Sequence, residues 1–258
     1  MSERLFRFQA SPEYDCYTII YAWHKKRRVL RELFARAVAG LDGSSLRLLD
    51  IGCGGGYDLF MLRQMPEAVR FSSLAGLDLN AADIAYCRER AAYEGDPRME
   101  FQVRDVVNEP LGASERADVI ICSEVVEHLV EPGRLIAGLA GVLPAGGSLI
   151  LTTPNGVAWS SRLRLRRPTV SQTSPAPLSE GESFGHISVR GRKAWRALCR
   201  ECGFRLVAER RGSLLYGSPA LDRRRWLGGL AIALDGLADA LRLNELSWET
   251  IQLYQREN

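Results

Sequence analysis

Long apolar runs are missing from this 258-residue sequence. The nearest candidate for a membrane span, Trp226 to Leu241, is broken by Asp235 and Asp239, whereas a spanning helix needs about 20 apolar residues. Met1 to Ala10 carries Glu3, Arg4 and Arg7 and lacks the apolar stretch of a secretory signal, so a cytoplasmic location is expected. Charge of one sign is scarce: the net charge of +3 is too small by itself to imply a nucleic-acid partner. Of six cysteines, Cys199 and Cys202 form a lone C-x-x-C with no second pair, which disfavours a zinc site and favours packing in a helix core. Cys53, Cys87 and Cys122 sit in apolar or glycine-rich surroundings and read as small buried hydrophobes. Histidine is rarer still, at three, and there are no internal repeats.

The composition is otherwise that of a soluble globular chain, 46% hydrophobic and 25% charged. The length suits one α/β domain over residues 1–258, with embellishments. Short apolar runs at Leu46–Ile51, Ser73–Asp78, Phe101–Val103, Ala117–Cys122 and Ser148–Thr153 alternate with helix-like segments at Tyr57–Gln64, Ala81–Tyr93 and Gly133–Val142. Near-continuous apolar strands suit a parallel sheet covered on both faces, and the βαβα order predicts a doubly wound Rossmann-like sheet. Lys193–Glu201 reads as a further helix, with strands at Phe204–Glu209 and Thr250–Arg256. Three segments stand outside this core. Residues 1–38 form an N-terminal arm, helical from residue 11. Residues 156–190 carry the basic run Arg162–Arg167 and a Ser/Pro/Gly-rich stretch, the composition of a cap or lid. Residues 219–243 form a helical insertion whose apolar residues, Trp226, Leu227, Leu230, Ile232, Leu234, Leu237 and Leu241, are expected to pack on the core. The alternatives for it are a homodimer contact or a membrane-surface helix.

The first strand runs into Asp50-Ile51-Gly52-Cys53-Gly54-Gly55-Gly56. Glycines here let a ligand approach the main chain, at the strand ends where doubly wound folds bind. The spacing is G-x-G-G-G, with Tyr57 at the position of the third glycine of a dinucleotide fingerprint, which weakens a pyrophosphate reading. Asp78 ends the second strand, where a carboxylate can accept from both hydroxyls of a ribose. Asp105 ends the third, where an adenine amine can be met.

The segments LLDIGCGGGYD (48–58), GLDLN (76–80), RDV (104–106), ICSEVVEHL (121–129) and GGSLILTTPN (146–155) resemble class I S-adenosylmethionine (SAM)-dependent methyltransferases. That resemblance implies a final antiparallel strand and helical cap insertions. It implies SAM as cofactor, held around Asp50, Gly52, Cys53, Gly54, Gly56, Asp78, Leu79, Asp105, Val106 and Ser123. The glycines meet the methionine part, Asp78 the ribose and Asp105 the adenine. The pattern E-x-x-E-H at 124–128, with TTPN and then GHIS at 185–188, narrows the likeness to the O-methyltransferases of ubiquinone biosynthesis. It is also similar to the small-RNA terminal 2′-O-methyltransferases, whose corresponding residues hold a metal.

A helix beginning after the fourth strand puts Glu124, Glu127 and His128 on one face. The cap can return His186 to the same crevice. Two glutamates and two histidines form a candidate site for a divalent cation. The competing reading gives Glu124 a capping role, Glu127 and His128 backbone hydrogen bonds, and His186 a role in ordering its own loop. Catalysis is assigned to His128 and Glu127, through a general-base histidine or a bound metal. The expected acceptor is a hydroxyl of a small molecule. The alternatives are an RNA-terminal 2′-O-methyltransferase, disfavoured by charge, a non-catalytic SAM-binding partner protein, and an NAD-dependent enzyme, disfavoured by Tyr57.

Overall fold

Strands apolar on both faces must lie in the middle of a sheet. The computed structural model, which describes residues 17–156, 185–214, 225–241 and 243–257, follows this rule. The elements run α1 (Tyr17–Ala39), β1 (Leu46–Ile51), α2 (Tyr57–Leu62), β2 (Phe71–Asp78), α3 (Ala81–Glu94), β3 (Met99–Val103), β4 (Val119–Ser123), α4 (Pro132–Val142), β5 (Ser148–Pro154), α5 (Arg192–Glu201), β6 (Phe204–Arg211), α6 (Arg225–Ala240) and β7 (Glu249–Arg256). They build a seven-stranded sheet ordered β3-β2-β1-β4-β5-β7-β6. The first five strands are parallel, and β7 runs antiparallel between β5 and β6. The fully buried β5 and the apolar β1 and β4 occupy the centre.

Side chains alternate along each strand between two cores. Leu48, Val119, Ile121 and Ile150 face Leu30, Leu33 and Phe34 of α1, Leu59 of α2 and Ile84 of α3. Leu49, Ile120, Cys122, Leu149 and Leu151 face Leu135 and Leu139 of α4 and Trp195 of α5. Both faces are thus covered, as the sequence leads one to expect, and all five free cysteines among the described residues pack as small side chains, four of them buried. The expected lid residues 157–184, with the basic run 162–167, lie outside the described residues, as do 1–16 and 215–224.

Two expectations are corrected. No α-helix starts at Glu124: that residue has a positive φ of 56°, and only the short 3-10 turn Val126–His128 follows it. Glu124, Glu127 and His128 therefore do not share a helical face. The second correction concerns α6. It packs through Gly228, Ala231, Asp235 and Ala238, while Trp226, Leu230, Leu234, Leu237 and Leu241 are exposed. The contact is ionic at its centre. Asp235 accepts from Lys25 Nζ (2.5 Å) and Tyr21 Oη (2.7 Å) of α1, from Arg211 Nη1 (2.9 Å) of β6 and from the Leu214 amide (2.6 Å). Asp239 pairs with Lys25 (2.7 Å) and Arg211 (2.7 Å). Lys25, Arg211 and Asp235 are all buried.

Removing one member of a buried ion cluster leaves its partners uncompensated. Asp235→Ala is expected to cost about 3–5 kcal/mol in urea denaturation. Leu234→Gln, at the adjacent position but on the exposed face, is expected to change stability by less than about 0.5 kcal/mol. Comparable losses in the two variants would refute this packing.

Candidate active site

The crevice opens at the carboxyl ends of the parallel strands. After Ile51 the chain turns on Gly52, Gly54 and Gly56, all at positive φ. The Gly52 and Cys53 amides donate to the Leu77 carbonyl at 2.8 and 3.1 Å, which ties the loop to β2. At Gly52 a Cβ would lie 2.3 Å from Val125 Cγ2, so this position excludes a side chain by contact as well as by conformation. At Gly54 the same atom would meet nothing within 4 Å, so this stretch of main chain borders open space. Asp78 bridges loop and strand: its Oδ2 accepts from the Gly54 amide (2.7 Å) and its Oδ1 from the Asn80 amide (2.8 Å). Asn80 then caps α3 through the Ala82 and Asp83 amides. Leu79 beside it is exposed. Asp105 closes a turn after β3, accepting from the amides of Val107 and Asn108 and from Asn108 Nδ2. Against slight desolvation, those bonds hold its carboxyl below the usual range. Val106 packs on the second core, and Cys53 is buried beneath the loop. Asp50 is buried too, and burial, with the charges of Asp58 and Asp78, pushes its carboxyl up.

The other wall begins at Ser123, whose Oγ lies 3.0 Å from Thr152 Oγ1 and which also bonds Asp58. Glu124 accepts from Thr152 Oγ1 (3.0 Å) and pairs with Lys26 of α1 (3.2 Å). Lys26 also pairs with Glu249 of β7 (2.8 Å). The two carboxyls share a hydrogen bond. Desolvation opposes ionisation of Glu124, yet the Lys26 charge keeps its carboxyl below the usual range. Burial pushes Glu249 up to about 8, Lys26 opposing and Glu124 reinforcing.

Glu127 is wholly buried. Its Oε2 accepts from Thr153 Oγ1 (3.1 Å), and its carbonyl accepts from the Ile187 and Ser188 amides, both at 2.8 Å. Burial and the nearby Glu124 charge push its carboxyl up to about 9. The segment pinned on Glu127 brings His186 to His128, with ring centroids 5.0 Å apart. His128 Nδ1 lies 3.3 Å from the Gly185 carbonyl oxygen, a contact only an Nδ1–H satisfies. His128 Nε2 lies 3.9 Å from Glu127 Oε1. Burial and the nearby His128 hold His186 below the ordinary histidine range. Ligand atoms of Glu127, His128 and His186 all lie within 4.8 Å of one another. Glu124 is outside this group and is engaged by Lys26 and Thr152.

A family described as "Methyltransferase domain" matches residues 22–209. The chain belongs to this methyltransferase family. A relative named ubiquinone biosynthesis O-methyltransferase, from Leptothrix cholodnii, is 32% identical over 122 residues, 46% of this chain and 48% of that protein. The chain thus matches about half the length of that curated relative. Among solved structures, magnesium protoporphyrin IX methyltransferase from Synechocystis PCC 6803 with bound SAH superposes with TM-score 0.60 at 16% identity, covering 98% of this chain and 92% of that one. The [4+2]-cyclase SpnF does so with TM-score 0.56 at 18% identity, covering 90% and 80%. At such identities the likeness is one of fold.

Around this methyltransferase crevice, sequence reasoning missed Lys26, Asp58, Thr152, Thr153 and Glu249. Lys26 stands in the run Lys25-Lys26-Arg27-Arg28, which reads as an ordinary solvated helix face. The threonines did carry a signal: two polar residues close an otherwise apolar strand, and both are fully buried.

A carboxyl whose folded pKa is raised stabilises the fold below its unfolded value and loses that contribution as pH rises through the folded one. For Glu127 the window runs from about 4.5 to about 9. Metal-free protein is therefore expected to lose stability across that range, and Glu127→Gln, which keeps the neutral shape, is expected to flatten the slope. Melting temperatures recorded from pH 5 to 9 check this. An unchanged slope in the variant would show that Glu127 is not the group responsible.

Proposed function

We propose that this chain binds SAM at the β1–β3 strand ends and transfers its methyl group to a hydroxyl of a small molecule. Glu127, His128 and His186 hold a divalent cation where that hydroxyl binds. SAM supplies a methyl group on a positively charged sulfur. The residues fit it: main chain bordering open space at Gly54, flanked by Gly52 and Gly56, and a carboxylate at Asp78 whose oxygens each retain a lone pair for ribose. Asp105 retains acceptor capacity in the same way for an adenine amine. Asp50, Cys53, Leu79, Val106 and Ser123 border this crevice.

Transfer from a sulfonium needs an aligned acceptor and excluded water more than it needs covalent help from the protein. An oxygen acceptor must also lose its proton. The single observation that carries the reading is the Glu127–His128–His186 convergence, one carboxyl and two imidazoles with ligand atoms within 4.8 Å, just past the end of the strand beside the glycine loop. Carboxylate with imidazole suits manganese, cobalt or zinc. A divalent cation lowers the pKa of an oxygen bound to it. Burial and the Glu124 charge favour the protonated form of Glu127, so cation binding and proton release go together there. Without a cation, His128 Nε2 carries the lone pair that a general base needs. The relative's name, an O-methyltransferase, supports an oxygen acceptor.

The test has two parts. Calorimetry with SAH is expected to show Asp78→Ala losing about 1.5–3 kcal/mol for each charge-assisted hydrogen bond removed. Unchanged affinity would refute the ribose assignment. Cobalt(II) titration is expected to produce a visible absorption band, absent in His186→Ala, while both proteins bind SAH equally. If no band forms, and labelled-methyl transfer to hydroxylated aromatic acceptors survives chelation but falls in His128→Ala, the histidine acts as general base and the cation is discarded.

A further inference from the structure

The helix α6 is amphipathic with its polarity reversed. A surface helix of a folded domain usually buries its leucines. Here the buried face is Gly228, Ala231, Asp235 and Ala238, and the exposed face is Trp226, Leu230, Leu234, Leu237 and Leu241. Those five recur at intervals of four, four, three and four residues, so they form one continuous stripe along the helix. Trp226 is 64% exposed, and each of the four leucines is at least 50% exposed. Lone exposed apolar residues are ordinary, but a stripe of this kind marks a surface that is covered in use.

The orientation is held and not incidental. Turning the leucines inward would drag Asp235 out of the pocket formed by Tyr21, Lys25 and Arg211. That buried cluster fixes the helix rotation, and with it the outward direction of the stripe.

Charge indicates what covers it. The only two carboxylates of α6, Asp235 and Asp239, are both neutralised by Lys25 and Arg211. In sequence the helix is bracketed by basic residues: Arg223 and Arg224 precede it, Arg225 is its first residue and Arg242 follows it. On α1, against which α6 packs, the exposed charged residues are Arg28, Arg31 and Arg36, with Glu32 paired to Arg210 at 2.6 Å. A second copy of this chain would bring like charges together and offer α6 no free carboxylate to pair with. A helix of this length, about 24 Å, is also a small platform for a stable dimer. An aromatic end residue, a leucine stripe and flanking arginines suit the boundary of a bilayer with negative head groups. We propose that α6 docks this protein on an anionic lipid surface, lying in the interface plane with Trp226 and the leucines among the acyl chains. No described helix is long and apolar enough to cross a membrane, so the contact is peripheral.

Flotation of the full chain with vesicles tests the assignment. The protein is expected to float with vesicles of phosphatidylglycerol and phosphatidylcholine, and much less with phosphatidylcholine alone. The triple variant Leu230→Gln, Leu234→Gln, Leu237→Gln is expected to lose about tenfold or more in partitioning. Its melting temperature and SAH affinity are expected to match the parent, since none of the three leucines touches the core or the crevice. As a second readout, the fluorescence of the parent should shift to the blue on adding anionic vesicles, and that of Trp226→Phe should not. Failure to float, equal binding to both vesicle types, or equal binding by the triple variant would each overturn the proposal. So would a dimer seen by light scattering that the triple variant abolishes in a protein indifferent to vesicles.

Discussion

One lysine underlies the acceptor side of this molecule. Four carboxyls crowd around it at the carboxyl ends of β1 and β4 and the amino end of the antiparallel β7: Asp58, Glu124, Glu127 and Glu249. Lys26 pairs directly with two of them and lowers the titration of the others that lie near it. Burying that much acid without a counter-charge would cost several kcal/mol per ion or force every group to protonate. With Lys26 present the cluster divides instead. The Glu124 carboxyl is pushed down, while those of Glu249 and Glu127 are pushed up. Neighbouring carboxyls pushed in opposite directions are a common arrangement where a site must bind a cation or move a proton.

Lys26 can do this only because α1 is held across the sheet beside β5 and β7. The adjacent Lys25 has the opposite assignment, reaching the carboxylates of α6. Successive residues on a helix point about 100° apart, so one helix serves two buried acidic clusters at once. Helix α1 in this way borders the candidate site and anchors α6, although neither role belongs to the doubly wound sheet.

The legibility of the sequence follows the same division. The strands were readable because β1, β4 and β5 are buried on both faces, leaving apolar runs too short for anything but a strand. The glycine turn and its carboxylate partner were readable because they are built at strand ends from main chain and one side chain, so Gly52, Gly54 and Asp78 announce that local geometry within short segments. The acceptor side is assembled from residues far apart in sequence. Lys26, Thr153, His186 and Glu249 meet through tertiary contacts that leave no local period. Glu124 misled for a local reason: its left-handed conformation ends the strand abruptly and replaces the expected helix with a single 3-10 turn. In α6 the periodicity was correct and its direction was not. An apolar stripe shows which residues share a face, whereas two aspartates with distant partners decide which face is buried.

This division also explains how proteins with so little sequence in common share the fold. A porphyrin methyltransferase and a cyclase superpose over most of this chain at 16% and 18% identity. Backbone geometry at strand ends survives such divergence, because it demands glycine at a few positions and little else. Chemistry at the acceptor does not, because it depends on side chains recruited one at a time from outside the strands. Here those are Lys26 from the N-terminal helix, Glu127 and His128 from the turn after β4, and His186 from the segment before α5. Segment 185–188 is secured by two main-chain hydrogen bonds to the Glu127 carbonyl, so the residue that supplies the buried carboxyl also positions the second imidazole. A change at 127 therefore acts on the buried charge and on the placement of His186 together, so under the proposed reading this turn, more than the glycine loop, is where acceptor chemistry is decided.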